Sequence, residues 1–196
     1  NIISWLDQRA TGMNLPALRG LTENGMRELT GWPCVKIFPP AHLAWWREYQ
    51  PELLSNSFVS QNHDFLQFRL TGRHLLDYSS ATPLLLVDQY REKYDSGLLK
   101  RFNLRVEQLP SLAPSGTMIG KLTPEAAAAT GLTTETRVVA GCFDHPAAAR
   151  AAGILQEGQL LLSCGTSWVG FFPCRNREKL IANQLLCDPF TRHDNG

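Results

Sequence analysis

The hydrophobic pattern of the first half of the chain predicts mostly helices, preceded by one buried strand. Residues 2–6 are apolar and partly β-branched, and they lead to Asp7 and Arg9, as expected for a strand with polar residues at its carboxyl end. Apolar residues recur at helical spacing in three later stretches, each followed by glycine or proline. These predicted helices cover residues 24–29, 41–49 and 63–70.

Two further stretches and one residue pair carry less regular patterns. Residues 87–102 alternate in charge, which predicts a solvated helical surface. Residues 109–120 are rich in proline, serine and glycine, which predicts a connector. Trp45 and Trp46 are neighbours on a predicted helix, so we expect one of them to be exposed or at an interface.

The second half of the chain contains sharper signals. Thr123 and Pro124 predict a helix start, because threonine caps the first N–H groups and proline fits the first helical position. Gly131 predicts the end of that helix. A strand, a short helix rich in alanine and a hairpin are then predicted over residues 137–140, 146–152, 160–163 and 168–172.

Two features of this strand–helix–hairpin unit carry candidate chemistry. Asp144 lies between the strand and the helix, at the sheet edge where α/β proteins usually bind ligands. Residues 164–167 (Cys-Gly-Thr-Ser) offer successive N–H groups and two hydroxyls, which suit phosphate oxygens. Each feature also has a purely structural explanation, an N-cap for Asp144 and an ordinary hairpin turn for residues 164–167.

Taken together, these residues resemble the centre of the FGGY carbohydrate kinases. The resemblance lies in Gly141-Cys142-Phe143-Asp144-His145, the alanines at 147–149 and Ser163-Cys164-Gly165-Thr166-Ser167. Trp5-Leu6-Asp7-Gln8-Arg9 and residues 77–82 and 122–132 resemble further segments of the same family. His42 is a departure, because the family usually has lysine there, and we assign no substrate role to it. Residues 77–82 are interpreted as structural, with side chains that satisfy backbone groups around a turn.

The resemblance implies an α/β, actin/hexokinase-like (ribonuclease H-like) ATPase fold, incomplete in this chain. Residues 1–155 would be part of the N-terminal sugar-binding domain, and residues 156–196 the beginning of the C-terminal nucleotide-binding domain. The family's first phosphate loop, Asp-x-Gly-Thr, does not occur in the sequence. We therefore expect the chain to be part of a longer protein and to transfer no phosphate by itself.

The implied activity is ATP-dependent phosphorylation of a hydroxyl on a ketose or related polyol, with ATP and Mg²⁺ as cofactors. Asp144 would be the general base, and no metal ligand is assigned in this chain. The implied sugar contacts are Trp5, Asp7, Arg9 and His145, and the implied contacts to ATP phosphates are Gly165, Thr166 and Ser167. One alternative is a non-catalytic sugar-binding or assembly module that retains the fold. A chaperone-like ATPase of the same superfamily is disfavoured, because the Trp-x-Asp-x-Arg and Asp-His pairs suit a polyol.

The amino-acid composition limits the classes of partner that the chain is expected to bind. The 196 residues carry a formal net charge of +1, which gives no electrostatic footprint for nucleic acid or an acidic membrane surface. No apolar run approaches the roughly 18 residues of a membrane-spanning helix. The five cysteines contain no C-x-x-C pair, which argues against a zinc site or a disulfide framework and favours a reducing cytoplasm. We expect a small-molecule sugar as partner, and a homo-oligomer is left open.

Overall fold

The computed structural model describes residues 3, 4, 6–33, 38–165 and 168–189. Within these ranges short helices alternate with short strands. The helices are α1 (Glu23–Thr30), α2 (Pro39–Tyr49), α3 (Pro51–Ser55), α4 (Asn62–Thr71), α5 (Tyr78–Ala81), α6 (Ser96–Phe102), α7 (Pro124–Thr130), α8 (Asp144–Ala151) and α9 (Arg177–Ala182). Single turns of 3-10 helix lie at Pro16–Leu18, Thr82–Leu84 and Val106–Gln108.

The described strands pair two by two. β1 (Leu75–Asp77) and β4 (Ser111–Ala113) run parallel, with Leu76 opposite Leu112. The other pairs are antiparallel: β2 (Val87–Asp88) with β3 (Lys93–Tyr94), β5 (Met118–Lys121) with β6 (Arg137–Val139), and β7 (Leu161–Cys164) with β8 (Trp168–Phe171). The α/β class expected from the sequence is therefore present in the described residues.

Capping residues explain where the predicted helices begin and end. The Thr22 side chain accepts a hydrogen bond from the Gly25 N–H at the start of α1, and Gly31 ends that helix in the left-handed region. Thr123 caps α7 in the same way, and Gly131 ends it. Such caps satisfy N–H and C=O groups that have no partner within the helix. The predictions for α1, α2, α4 and α7 are confirmed.

The main core forms around four apolar side chains that expose no surface: Leu76, Leu85, Leu86 and Phe102. Burying a leucine or phenylalanine side chain contributes about 1.5–3 kcal/mol. Helices α1, α2 and α6 pack over this centre with Met26, Ala41, Leu43, Ala44, Leu98 and Leu99, and Trp32 joins them from the segment after α1. A second, smaller cluster joins α7 to α4 and β6 through Leu122, Ala126, Ala127, Leu70 and Val138.

The prediction of a buried strand over residues 2–6 is wrong for the part that the structure describes. Ile3 and Ser4 have no regular secondary structure, and Leu6 is 64% exposed. The Asp7 N–H donates to the Ser4 carbonyl at 2.9 Å, which closes a turn. A short apolar run without periodicity does not specify a strand unless a neighbouring strand pairs with it.

Three other expectations also need correction. Residues 87–94 form the β2–β3 hairpin and only residues 96–102 are helical, as α6, while residues 109–120 contain β4 and most of β5. β4 forms by pairing with β1, which is remote in sequence, whereas β2 and β3 pair with each other. Trp45 and Trp46 are both half-buried, with their rings edge to face at 6.1 Å, so neither is exposed, and the alternative that one lies at an interface stays a prediction. Among the described residues, no helix has the length and apolar character needed to cross a membrane.

Candidate active site

The unit predicted around Asp144 forms as a strand, a helix and a hairpin. β6 leads into α8, and β7 and β8 pair from Leu161 opposite Phe171 to Cys164 opposite Trp168. α8 packs against β8, so the helix that begins at Asp144 lies beside the hairpin. Gly153, with a φ of 74°, follows the last turn of α8 as the sequence predicts.

Asp144 is exposed at the first turn of α8, where a base that meets a substrate has to be accessible. Its Oδ1 accepts a hydrogen bond from the His145 N–H at 2.8 Å. A carboxylate at a helix N-terminus is favoured by the N–H groups that point towards it. The side chain is thus oriented by its own helix while it faces solvent and not the core.

The residue before Asp144 anchors this turn to the interior. The Phe143 ring packs edge to face on Trp32, with 5.7 Å between the ring centroids. The Phe143 N–H donates to Ser79 Oγ at 3.2 Å. Its carbonyl accepts the Ala147 N–H at 2.9 Å, the first hydrogen bond of α8. Phe143 therefore fixes the position from which Asp144 projects.

His145 lies at the same end of α8. Its side chain is half-buried and packs edge to face on Phe143, with 6.2 Å between the centroids. The two residues proposed for the base and for a sugar contact, Asp144 and His145, thus share one anchoring residue.

Asp7 and Arg9 form a close ion pair. Arg9 Nε lies 2.9 Å from both carboxylate oxygens of Asp7, and Nη2 lies 2.8 Å from Oδ2. The Arg9 backbone N–H also donates to Asp7 Oδ1 at 2.9 Å. These hydrogen bonds from Arg9 hold the pKa of Asp7 below its usual value, so the carboxylate stays ionised at neutral pH.

Two side chains of helix α2 contact the residues of this ion pair. His42 is buried, and its Nε2 lies 3.2 Å from the Asp7 carbonyl oxygen, to which an Nε2–H would donate. The Arg9 guanidinium lies over the Trp45 ring at 4.9 Å from the centroid. The histidine at the position where the family usually has lysine therefore has a structural role, which no sequence signal indicated.

An aromatic cluster connects the two groups of site residues. Phe38, which precedes α2, packs edge to face on Trp32 at 5.5 Å, and Trp32 packs on Phe143. α2 also carries the side chains that hold Asp7 and Arg9. Trp32 therefore contacts both Phe38, next to the helix that holds the ion pair, and Phe143, next to Asp144.

The hairpin places one predicted phosphate contact at the surface. Gly165 is exposed at the bend that follows β7. Thr166 and Ser167, predicted at the same turn, and Trp5, predicted beside the sugar, lie outside the described residues.

A buried acidic cluster under the Asp144 turn escaped the sequence analysis. Ser79 Oγ donates to both carboxylate oxygens of Asp188, at 2.9 and 3.0 Å. Burial and the neighbouring Asp77 raise the pKa of Asp188 to about 7, against smaller opposing effects of Ser79 and Arg150. Asp77 Oδ1 accepts the Ser80 N–H as the N-cap of α5, as expected for a structural turn.

The described residues contain no group of three acidic, histidine or cysteine side chains that could hold a metal ion. Mg²⁺ in phosphoryl-transfer enzymes usually has one or two carboxylate ligands besides substrate phosphates and waters. No step of the chemistry is assigned to an ion held by the described residues.

Comparison with known proteins decides the family. The sequence model of the N-terminal domain of the FGGY family of carbohydrate kinases matches residues 1–150. The chain belongs to this family. Xylulose kinase of Bacillus subtilis (strain 168) is 32% identical over 173 residues, which cover 86% of this chain and 34% of that protein. The chain thus spans about a third of the length of this FGGY relative.

Solved structures agree in fold. The crystal structure of xylulose kinase from Rhodospirillum rubrum matches with a TM-score of 0.72 and 27% identity, covering 77% of this chain and 31% of that one. Plasmodium falciparum glycerol kinase with ADP matches with a TM-score of 0.75 over 85% of this chain and 34% of that one, and at 21% identity it shows the fold alone. The expected actin/hexokinase-like fold is confirmed. The domain boundary near residue 155 and the roles of individual residues stay predictions.

Proposed function

We propose that this chain contains the sugar-binding part of an ATP-dependent carbohydrate kinase in which Asp144 is the general base. The observation that carries the proposal is the exposed carboxylate of Asp144, on a turn anchored by Phe143, at the start of the helix that packs against β8. Asp144 is not the N-cap of α8, because Phe143 holds that position and Asp144 is the first residue of the helix. The anchored turn suits a base, because proton transfer depends on the position of the carboxylate.

The chemistry follows from that placement. A sugar hydroxyl that donates a hydrogen bond to the Asp144 carboxylate is oriented for attack on the γ-phosphorus of ATP. As the new oxygen–phosphorus bond forms, the bond to the bridging oxygen of ADP breaks and the hydroxyl proton passes to Asp144. The transferred group is loosely bonded at the transition state, so orientation and charge stabilisation supply most of the rate enhancement.

The Asp7–Arg9 pair suits the remaining hydroxyls of the substrate. An ionised carboxylate accepts hydrogen bonds from hydroxyls, and a guanidinium donates them, so one fixed pair recognises both sides of a polyol. We assign Trp5 and His145 to the same pocket. The name of the xylulose kinase relative supports a ketose as the substrate class.

ATP binding is assigned to the hairpin. We propose that Gly165, Thr166 and Ser167 donate N–H and hydroxyl groups to the phosphates, with residues 1–155 as the sugar-binding domain and 156–196 as the beginning of the nucleotide-binding domain. The ADP named with the glycerol kinase structure supports a nucleotide in this fold. Free thiols at Cys142, Cys164, Cys174 and Cys187 fit a reducing compartment, and we propose the cytoplasm.

The test compares Asp144→Asn with wild type in the full-length kinase. We expect ADP release with a panel of ketoses to fall about 100-fold or more, because the base is lost. Sugar affinity by calorimetry should stay within about a factor of ten, because the shape of the site is kept. Asp95→Asn is the matched control, since Asp95 caps α6 and asparagine caps equally well. If the wild-type protein binds sugar without turnover, the non-catalytic module is the correct interpretation.

A further inference from the structure

The hydrogen bonds of Ser79 connect the buried Asp188 to the turn before Asp144. Ser79 exposes no surface, and its hydroxyl has two partners, the Asp188 carboxylate and the Phe143 N–H. A hydroxyl has one hydrogen to donate. Because Asp188 takes that hydrogen, a lone pair of Oγ is directed at Phe143. The acceptor that holds the turn before Asp144 is therefore oriented by Asp188.

Burial of the Ser79, Asp77 and Asp188 cluster costs more free energy than an ordinary turn requires. Asp188 and Asp77 are both buried carboxyls, and Asp77 Oδ2 has no hydrogen-bond partner among the described residues. Burial of such groups costs free energy unless they are fully paired. A buried polar cluster that is only partly satisfied calls for a specific explanation, and a functional role is one.

Arg150 gives the cluster a second connection to the helix of the base. It lies two turns after Asp144 on α8, close enough to favour the charged form of Asp188. Asp188 is thus coupled to α8 through the Phe143 N–H at its start and through Arg150 near its end.

We infer that Ser79 and Asp188 are positioning residues for Asp144, a role that rests on the proposed function. Asp188 lies outside residues 1–150, the part matched by the N-terminal domain of the family. The position of the base therefore depends on a residue from the following segment of the chain, and the two segments are linked at the turn that carries the base.

The experiment measures kcat and KM of the full-length kinase for four variants. Ser79→Ala and Asp188→Leu should each lower kcat about 10- to 100-fold, because a small displacement of a reacting group has effects of this size. KM for the sugar should change less than about threefold, because the sugar contacts are intact. Asp188→Asn keeps an acceptor oxygen for Ser79 and should restore most of kcat. Ser80→Ala is the control, since Ser80 is the adjacent and equally buried serine.

The outcomes separate this inference from the function on which it rests. If Asp144→Asn abolishes turnover but Ser79→Ala and Asp188→Leu do not lower kcat more than Ser80→Ala, the positioning role is wrong and the function stands. If Asp144→Asn keeps wild-type turnover, the proposed base is wrong. Should Ser79→Ala fail to fold, the comparison of Asp188→Leu with Asp188→Asn decides, because only the first removes the acceptor. Equal kcat values for these two variants would overturn the inference.

Discussion

The guanidinium of Arg9 lies over the indole of Trp45, 4.9 Å from the ring centroid. The same guanidinium holds the Asp7 carboxylate through Nε and Nη2. Trp45 in turn packs on Tyr49 at 5.2 Å and against the main core. The ion pair proposed for sugar binding is therefore supported on an aromatic side chain of α2 and is not free to move as an ordinary surface pair.

Trp45→Leu should weaken sugar binding without changing the chemical step. A cation–π contact contributes about 0.5–2 kcal/mol, so we expect KM for the sugar to rise about 3- to 30-fold with kcat within about twofold. Trp46→Leu is the matched control, because Trp46 is the neighbouring half-buried tryptophan on the same helix. Trp45→Phe keeps an aromatic face and should restore part of the affinity. Equal KM values for the two leucine variants would show that Trp45 contributes only packing.

Gly31 should be the least replaceable of the glycines that end helices. It ends α1 with a φ of 82°, and a Cβ there would overlap the Cys187 carbonyl and the Gln89 side-chain amide. Gly131 ends α7 with a φ of 73° and has open space around it. Gly131→Ala should therefore cost about 1 kcal/mol from backbone strain alone. Gly31→Ala should cost about 1–3 kcal/mol more.

Urea unfolding of the two variants measures this difference. The Cys187 N–H also donates to the Gly31 carbonyl at 2.9 Å, so the overlap would disturb the contact that joins residue 187 to α1. Similar losses for Gly31→Ala and Gly131→Ala would contradict the close approach of these two segments.

Local sequence signals predicted the parts of the fold that local interactions determine. Thr123, Pro124 and Gly131 fix both ends of α7 through hydrogen bonds within a few residues. β4 had no such signal, because Ser111 becomes part of a strand only through pairing with Leu75. Pairing between distant segments depends on the whole fold and not on local propensity.

The same distinction applies to the site. Asp144 could be found from the sequence because a strand end, a proline and an alanine-rich helix mark it. Ser79 was assigned only a local turn role, because its partners Phe143 and Asp188 lie far away in sequence. His42 gave no signal either, since a contact to the Asp7 carbonyl leaves no pattern in the chain.

The raised pKa of Asp188 should make stability depend on pH. Burial raises the pKa from 3.8 to about 7, so the folded protein binds this proton more tightly than the unfolded chain. Stability from this group is complete below about pH 4 and falls as pH rises towards 7. His63 acts in the opposite direction, because burial lowers its pKa.

Comparison with Asp188→Asn cancels the contribution of His63, which both proteins share. The free energy of unfolding of wild type minus that of Asp188→Asn should decrease from about pH 5 to about pH 8, because the buried carboxyl loses its proton in this range. Urea unfolding at several pH values measures it. A difference that does not vary with pH would show that Asp188 is not a buried acid that titrates in this range.

The 196-residue chain by itself should transfer no phosphate, although we expect the full-length kinase to do so. The chain covers 34% of the Bacillus subtilis relative. The hairpin proposed for the ATP phosphates also exposes Leu162 and Trp168, the latter at 73%, so its outer face is uncovered. Transfer of a highly charged phosphoryl group needs several donors and a metal held together in a closed site.

A coupled assay of ADP release with a panel of ketoses tests this, with the full-length kinase as the positive control. The isolated chain should show only background turnover at every sugar concentration, whereas the full-length protein should show saturable turnover. Asp144→Asn in the isolated chain should then change nothing that the assay detects. Turnover by the isolated chain comparable to that of the full-length kinase would mean that all essential groups lie within these residues, and that the proposed dependence on further parts of the kinase is wrong.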